Sequence, residues 1–88
     1  MIEFKALHVS LLTEEIAANL EDRLNNLPGV ENFNIVLDVG ELNIVFDERQ
    51  LDFRTLAEEM ATAGCPWQNI NAALFNQIPL QTSSPKGP

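Results

Sequence analysis

Cys65 carries the only thiol in this sequence, and thiolates are preferred donors for Cu(I) and Zn(II). A stable site for a soft ion needs at least one more ligand. His8, the single histidine, is the natural candidate within one chain, and a second Cys65 is the candidate if two chains meet. The alternative is that Cys65 is a small half-buried apolar residue and that His8 is a hydrogen-bonded structural residue.

The remaining polar residues do not form a recognisable catalytic set. The chain has 13 Asp and Glu against 5 Lys and Arg, for a formal net charge of −8, with no EF-hand spacing and no glycine-rich phosphate loop. The loop after the first strand also lacks the arginine that an acylphosphatase would need. We therefore expect no enzyme activity. The acidic surface disfavours nucleic acid and anionic membranes, but it suits docking of a basic protein.

Hydrophobic spacing predicts the elements that would position these residues. Ile2–Val9 alternates as a strand, and Thr13 is a typical N-cap, followed by two acidic residues that the helix dipole favours. The helix should end at Pro28 and Gly29. Its buried stripe recurs at intervals of three and four residues: Ala17, Leu20, Leu24 and Leu27.

The second half of the chain repeats this pattern. Two alternating runs joined by residues 38–41 predict a β-hairpin. Asp52 is the expected N-cap of a second helix that ends at Gly64, with Leu56, Met60 and Ala63 buried. Residues 68–78 fit either a strand or a helix, and we favour the strand because it completes the sheet.

The resulting order is β-α-β-β-α-β, an α+β ferredoxin-like sandwich with an antiparallel sheet and both helices on one face. Residues 1–78 should form this single domain, and residues 79–88 a flexible tail. The amino terminus has the pattern of a strand rather than of a signal peptide, and no apolar run approaches the roughly 20 residues that cross a bilayer. We expect a cytoplasmic protein.

Three segments in this order resemble the heavy-metal-associated domain family, which includes copper chaperones and the amino-terminal modules of metal pumps. They are AxxLxxxLxxLPGV over Ala17–Val30, the hairpin Val36–Asp47, and LAEEMATAGC at the end of the second helix. The resemblance extends over Phe4–Trp67. It implies a ferredoxin-like fold with a metal-binding loop before the first helix.

Counting back from LPGV, the resemblance places the two metal-binding cysteines of the family at Thr13 and Ile16, and its buried loop methionine near Leu11. Neither a hydroxyl nor an alkyl group replaces a thiolate. The metal-carrying activity of the family is therefore not expected to apply to this chain. The resemblance also puts Cys65 in a loop beside that site, near the start of the first helix, where a thiolate would be favoured.

The sheet face opposite the helices offers a second candidate site. The alternation predicts Leu7, Val9, Val36 and Val45 on that face, with Trp67 at its border. A continuous apolar strip would drive association with another protein. The alternative is a set of scattered residues that are present for their strand propensity.

The leading hypothesis is a small non-catalytic domain of this family that binds another protein or a second copy of itself, without a cofactor. The runner-up is a divergent copper- or zinc-binding protein that uses Cys65, with or without His8, at a dimer junction. A third hypothesis, a ligand-sensing regulatory module, has no residue that indicates an effector.

Overall fold

The computed structural model describes residues 1–76, apart from the side chains of three asparagines in the last stretch, Asn69, Asn71 and Asn76. The elements are β1 Ile2–Leu7, α1 Glu14–Asn25, β2 Val30–Val36, β3 Glu41–Phe46, α2 Phe53–Ala63 and β4 Asn71–Asn76. The strands form one antiparallel sheet in the order β2-β3-β1-β4. The predicted ferredoxin-like architecture is confirmed.

Of the two alternatives for residues 68–78, the strand is confirmed over Asn71–Asn76. A short 3₁₀ helix at Trp67–Asn69 precedes β4, which pairs with β1 so that Leu74 lies opposite Phe4 and Ala72 opposite Ala6. The last two residues of the expected domain, and the expected flexible tail 79–88, lie outside the described residues. Neither described helix is long and apolar enough to cross a membrane.

The core lies between the helices and one face of the sheet, and the predicted helix stripes are part of it. Thr13 and Asp52 cap their helices as expected, accepting hydrogen bonds from the backbone N–H of Ile16 and of Thr55. Leu27 is only partly buried, because α1 ends at Asn25. The largest fully buried side chains are Phe4, Leu20, Leu42, Ile44, Phe46, Leu56, Met60 and Cys65.

The hairpin between β2 and β3 is closed by a 3₁₀ helix, Leu37–Val39, rather than by a simple turn. Gly40 follows with φ +63°, and its carbonyl accepts a hydrogen bond from the Val9 N–H at 2.9 Å. A Cβ at Gly40 would lie 2.7 Å from the Val9 nitrogen, so only glycine allows this approach. Leu37, the first residue of this 3₁₀ helix, is 39% exposed.

At the opposite end of the sandwich, Asp47 organises the loop that joins β3 to α2. Its N–H donates to the Gly29 carbonyl at 2.7 Å, and its own carbonyl accepts from the N–H groups of Gln50 and Leu51. The Asp47 carboxylate, although buried, accepts three hydrogen bonds from Arg49. These bonds lower the pKa of Asp47 from 3.8 to about 2.

The lowered pKa of Asp47 predicts a local sensitivity to acid. The ionised carboxylate stabilises the folded state fully above pH 3.8, and this contribution is lost as the pH falls from 3.8 to about 2. Thermal unfolding of wild type and Asp47→Asn is to be compared between pH 2 and pH 6. We expect wild type to be the more stable near pH 6 and the difference to shrink below pH 4. A constant difference would contradict the role of the Asp47–Arg49 pair.

Candidate functional site

The first candidate site lies at the end of the sandwich where β1 leads into α1. We call this the loop end, and it comprises residues 8–13, 37–40 and 64–70. The hydrogen bond between Val9 and Gly40 joins the first two of these segments. The start of α1 and the end of α2 meet here, because β1 and β3 are antiparallel and each is followed by its helix, so that the two helices run in opposite directions.

His8 lies at the start of the loop end, and it has a left-handed backbone with φ +56°. This conformation is uncommon for a residue with a side chain, and it ends the strand alternation after Leu7. As a result Val9 turns into the core and is 3% exposed, so its predicted place on the open sheet face is wrong. The His8 side chain itself is exposed.

Thr13 and Ile16 occupy the positions that the resemblance assigns to metal-binding cysteines, and both have structural contacts. The Thr13 hydroxyl oxygen accepts the Ile16 N–H at 3.3 Å, which closes the start of α1. Ile16 is partly buried and packs against the core beside the end of α2, where a Cβ at Gly64 would lie 3.3 Å from it. Neither side chain offers a soft donor.

Cys65 is fully buried rather than half-buried. Its N–H donates to the Met60 carbonyl at 2.9 Å, and its side chain is part of the hydrophobic core. Burial raises the pKa of the Cys65 thiol, which favours the neutral form over the thiolate that binds metal. Across residues 1–76, no three His, Cys, Asp or Glu side chains are grouped so that they could hold a metal ion.

The second candidate site, the open sheet face, is more polar than predicted. Strand register places Val45 beside Glu3, while Asn43 and Lys5 pair with each other in the neighbouring row. These polar side chains separate Val45 from Leu7 and from Val36, which pairs with Glu41 at the end of β2. The three predicted apolar residues that remain on this face therefore do not form a continuous strip.

Trp67 lies on the helix side of the sheet, away from that open face. Its ring contacts Phe53 edge-on at 5.2 Å between centroids, and Phe53 stacks on the buried Phe4 at 5.7 Å. Since Phe4 points toward the helices, Trp67 cannot border the opposite face. Its predicted place at the border of an apolar strip is wrong.

A groove between α2 and β4 is the feature that the sequence analysis missed. Two adjoining cavities of about 270 and 290 Å³ share Phe53 and Leu74 as lining residues, and the larger is also lined by Trp67. Leu74 and Phe75, consecutive in β4, are 48% and 49% exposed. The sequence does contain a signal for this groove: β4 has no charged residue, and Leu74 and Phe75 are adjacent in it. Adjacent side chains of a strand point to opposite faces of the sheet, so two large apolar residues in succession cannot both face the same core.

Together, these features define a small ferredoxin-like domain in which positions 13 and 16 carry no soft donor and the single thiol of the loop end, Cys65, is buried. Residues 9–65 match the family model of the heavy-metal-associated domain, which is more than half of the chain. The chain belongs to this family, as the resemblance implied. No curated protein sequence matches it closely enough to count as a relative.

Several solved structures share the fold at low sequence identity. The copper binding domain of HMA7, a P-type ATPase, is 19% identical with a TM-score of 0.60, over 86% of this chain and 96% of that one. The yeast copper transporter domain Ccc2a is 16% identical with a TM-score of 0.57, over 85% and 94%. Oxidized MerP from Ralstonia metallidurans CH34 is 10% identical with a TM-score of 0.61, over 86% and 97%.

Proposed function

We propose that this chain is a non-catalytic protein-binding domain of the heavy-metal-associated family, in which the metal loop has become a structural cap. The observation that carries the proposal is the use of Thr13 and Ile16. One caps α1 and the other packs against the core, so the two positions serve folding rather than ion binding. What remains available for function is the surface.

The surface has properties that favour binding to a protein. Its formal net charge of −8 attracts basic partners and speeds encounter with them. Within residues 1–76, five large apolar side chains are exposed, and such residues contribute binding energy when a partner covers them. They are Leu7, Leu37, Val39, Leu74 and Phe75.

The metal-binding alternative requires a rearrangement of the loop end that protein binding does not. A metal bridging two Cys65 thiolates at a dimer junction needs those thiols at the surface, whereas Cys65 is fully buried. His8 is exposed and follows β1 directly, but a single imidazole does not make a stable site for a soft ion. Local opening of the loop after α2 would have to precede any binding.

Native mass spectrometry with Cu(I) and Zn(II) tests the proposal, with wild type and Cys65→Ser measured beside the copper binding domain of HMA7 as a positive control. We expect neither form of this chain to retain metal at micromolar concentrations. One ion retained by wild type and lost in Cys65→Ser would replace the proposal with the metal-binding alternative. Metal retained by both forms would also contradict it.

Protein binding is tested separately, by affinity capture at low and high salt followed by reconstitution with the purified partner. We expect a direct complex whose affinity falls as salt rises, since the surface is acidic. A chain that stays monomeric and forms no reconstituted complex at either salt concentration would contradict the proposal.

A further inference from the structure

The two edge strands of the sheet differ in how well they are protected against further strand pairing. β2 carries the exposed Glu31 and a register irregularity between Val30 and Asn32, both of which discourage added strands. β4, with the sequence NAALFN, has no charge, no proline and no register shift against β1. Within residues 1–76, no strand pairs with the outer edge of β4. Its outward backbone groups therefore offer a template for another strand.

A groove for side chains runs beside this edge. Leu74 and Phe53 line both cavities described above, and Trp67 forms the wall of one of them. A third cavity of about 530 Å³ continues from Phe53 and Trp67 along α2. A strand added to β4 would point every second side chain toward this groove, because strand side chains alternate between faces.

The charges along the groove favour a basic occupant. Glu48 and Asp52 are the charged residues that line the first cavity, and Arg54 and Glu58 line the third. Glu48 contacts the terminal ammonium of Met1 at 2.8 Å and is still 46% exposed. Three of these four charged side chains are acidic, in a chain of formal net charge −8.

From these observations we propose that the outer edge of β4 and the groove lined by Phe53, Trp67 and Leu74 bind an extended segment of a partner protein as a fifth strand. The segment has apolar side chains at alternate positions and at least one Lys or Arg directed at Glu48, Asp52 or Glu58. The proposal rests on the proposed protein-binding function and specifies the surface that performs it.

A second copy of this chain is a poorer occupant than a basic segment. Two copies, each with a formal net charge of −8, repel one another, whereas a basic segment is attracted. The acidic side chains beside the groove would also find few cations on a second copy, since residues 1–76 contain four Lys and Arg: Lys5, Arg23, Arg49 and Arg54.

A phage-displayed library of random nine-residue peptides, panned on the full 88-residue chain, tests the proposal. Clones that also bind the Leu74→Asp variant of the chain are removed, and an enriched peptide is synthesised so that its affinity can be measured by titration. Leu37→Asp is the matched control, because Leu37 is comparably exposed and directly follows β2, the edge strand opposite β4. Leu74→Ser is a milder second variant, and melting curves check that each variant folds.

Two local readouts report where the peptide binds. Trp67 is the only tryptophan, so its fluorescence reports occupancy of the groove. Hydrogen exchange reports whether the outward amides of β4 become protected. We expect enriched peptides with apolar residues at i and i+2 and a basic residue, a shift in Trp67 emission, and protection of β4. Leu74→Asp should weaken binding about tenfold or more, and Leu37→Asp should leave it unchanged.

Several results would overturn the inference. The first is that no peptide is enriched for wild type over Leu74→Asp, and the second is that a peptide binds without protecting the amides of β4. The third is that protection of β4 rises with protein concentration when no peptide is present, which would assign the edge to a second copy of this chain. None of these results requires a metal at the loop end. These results would therefore rule out the β4 site without ruling out the proposed function. The proposed function itself would fail if the chain retained Cu(I) or formed no reconstituted complex with a partner.

Discussion

Gly29→Ala is expected to lower the free energy of unfolding by about 3 kcal/mol, which lowers the melting temperature by roughly 15 °C in a domain of this size. Gly29 has φ +100°, a backbone conformation that strains any residue with a side chain. An alanine Cβ would also lie 2.6 Å from the Leu51 Cβ. Neither atom can move without moving its backbone.

The close approach at Gly29 has a clear structural reason. The Gly29 carbonyl accepts the Asp47 N–H at 2.7 Å, so the turn after α1 is fixed against the loop before α2. Moving Gly29 away from Leu51 to relieve the clash would break this hydrogen bond. The conformational strain and the steric clash therefore both destabilise the variant.

Gly64→Ala is the matched control for Gly29→Ala. Gly64 has φ +104°, but an added Cβ would meet only the Ile16 side chain at 3.3 Å. We expect it to cost about 1–2 kcal/mol, mainly from conformational strain. Thermal and denaturant unfolding of both variants separate conformational strain from steric clash. The difference between the two losses of unfolding free energy measures the contact of the added Cβ with Leu51. Equal losses would show that the contact contributes nothing.

The fold was predictable from sequence because its signals are local. Thr13 and Asp52 are caps by side-chain chemistry, and residues spaced by three and four define the helix faces whatever surrounds them. β4 was harder, since its short apolar run fits either a strand or a helix. Pairing with β1, a tertiary interaction, decides between them.

The candidate sites were less predictable because they depend on contacts between distant segments. The left-handed backbone of His8 moves Val9 from the open face to the core, and no spacing rule indicates it. The position of Trp67 follows from its contact with Phe53 in α2. The groove beside β4 exists because α2 leaves Leu74 uncovered, which only the packed structure shows.

Thr13→Cys combined with Ile16→Cys is expected to convert the chain from one that retains no Cu(I) to one that binds a single ion. The two positions are three residues apart at the start of α1, so their side chains are neighbours on one face. The amino-terminal end of a helix lowers the pKa of a thiol and so favours the thiolate. Two adjacent thiolates supply the donors that Cu(I) prefers.

Without metal, this double variant should be less stable than wild type. Loss of the Thr13 cap costs about 1 kcal/mol, and truncation of the partly buried Ile16 costs about 1–2 kcal/mol. Cu(I) at 100 times its dissociation constant should return about 2.7 kcal/mol. Native mass spectrometry and melting curves with and without Cu(I), in a Cys65→Ser background, measure both effects.

The controls for this experiment are Thr13→Ala with Ile16→Ala, which removes the same cap and core contact without adding thiols, and each single cysteine variant. We expect none of them to retain Cu(I), because one thiolate or none is insufficient. If the double-cysteine variant folds and still retains no Cu(I), the loop end cannot support a metal site even with its ligands supplied. The identity of the residues at positions 13 and 16 would then not be the reason to expect no metal binding by this chain, and the proposed function would lose its main support.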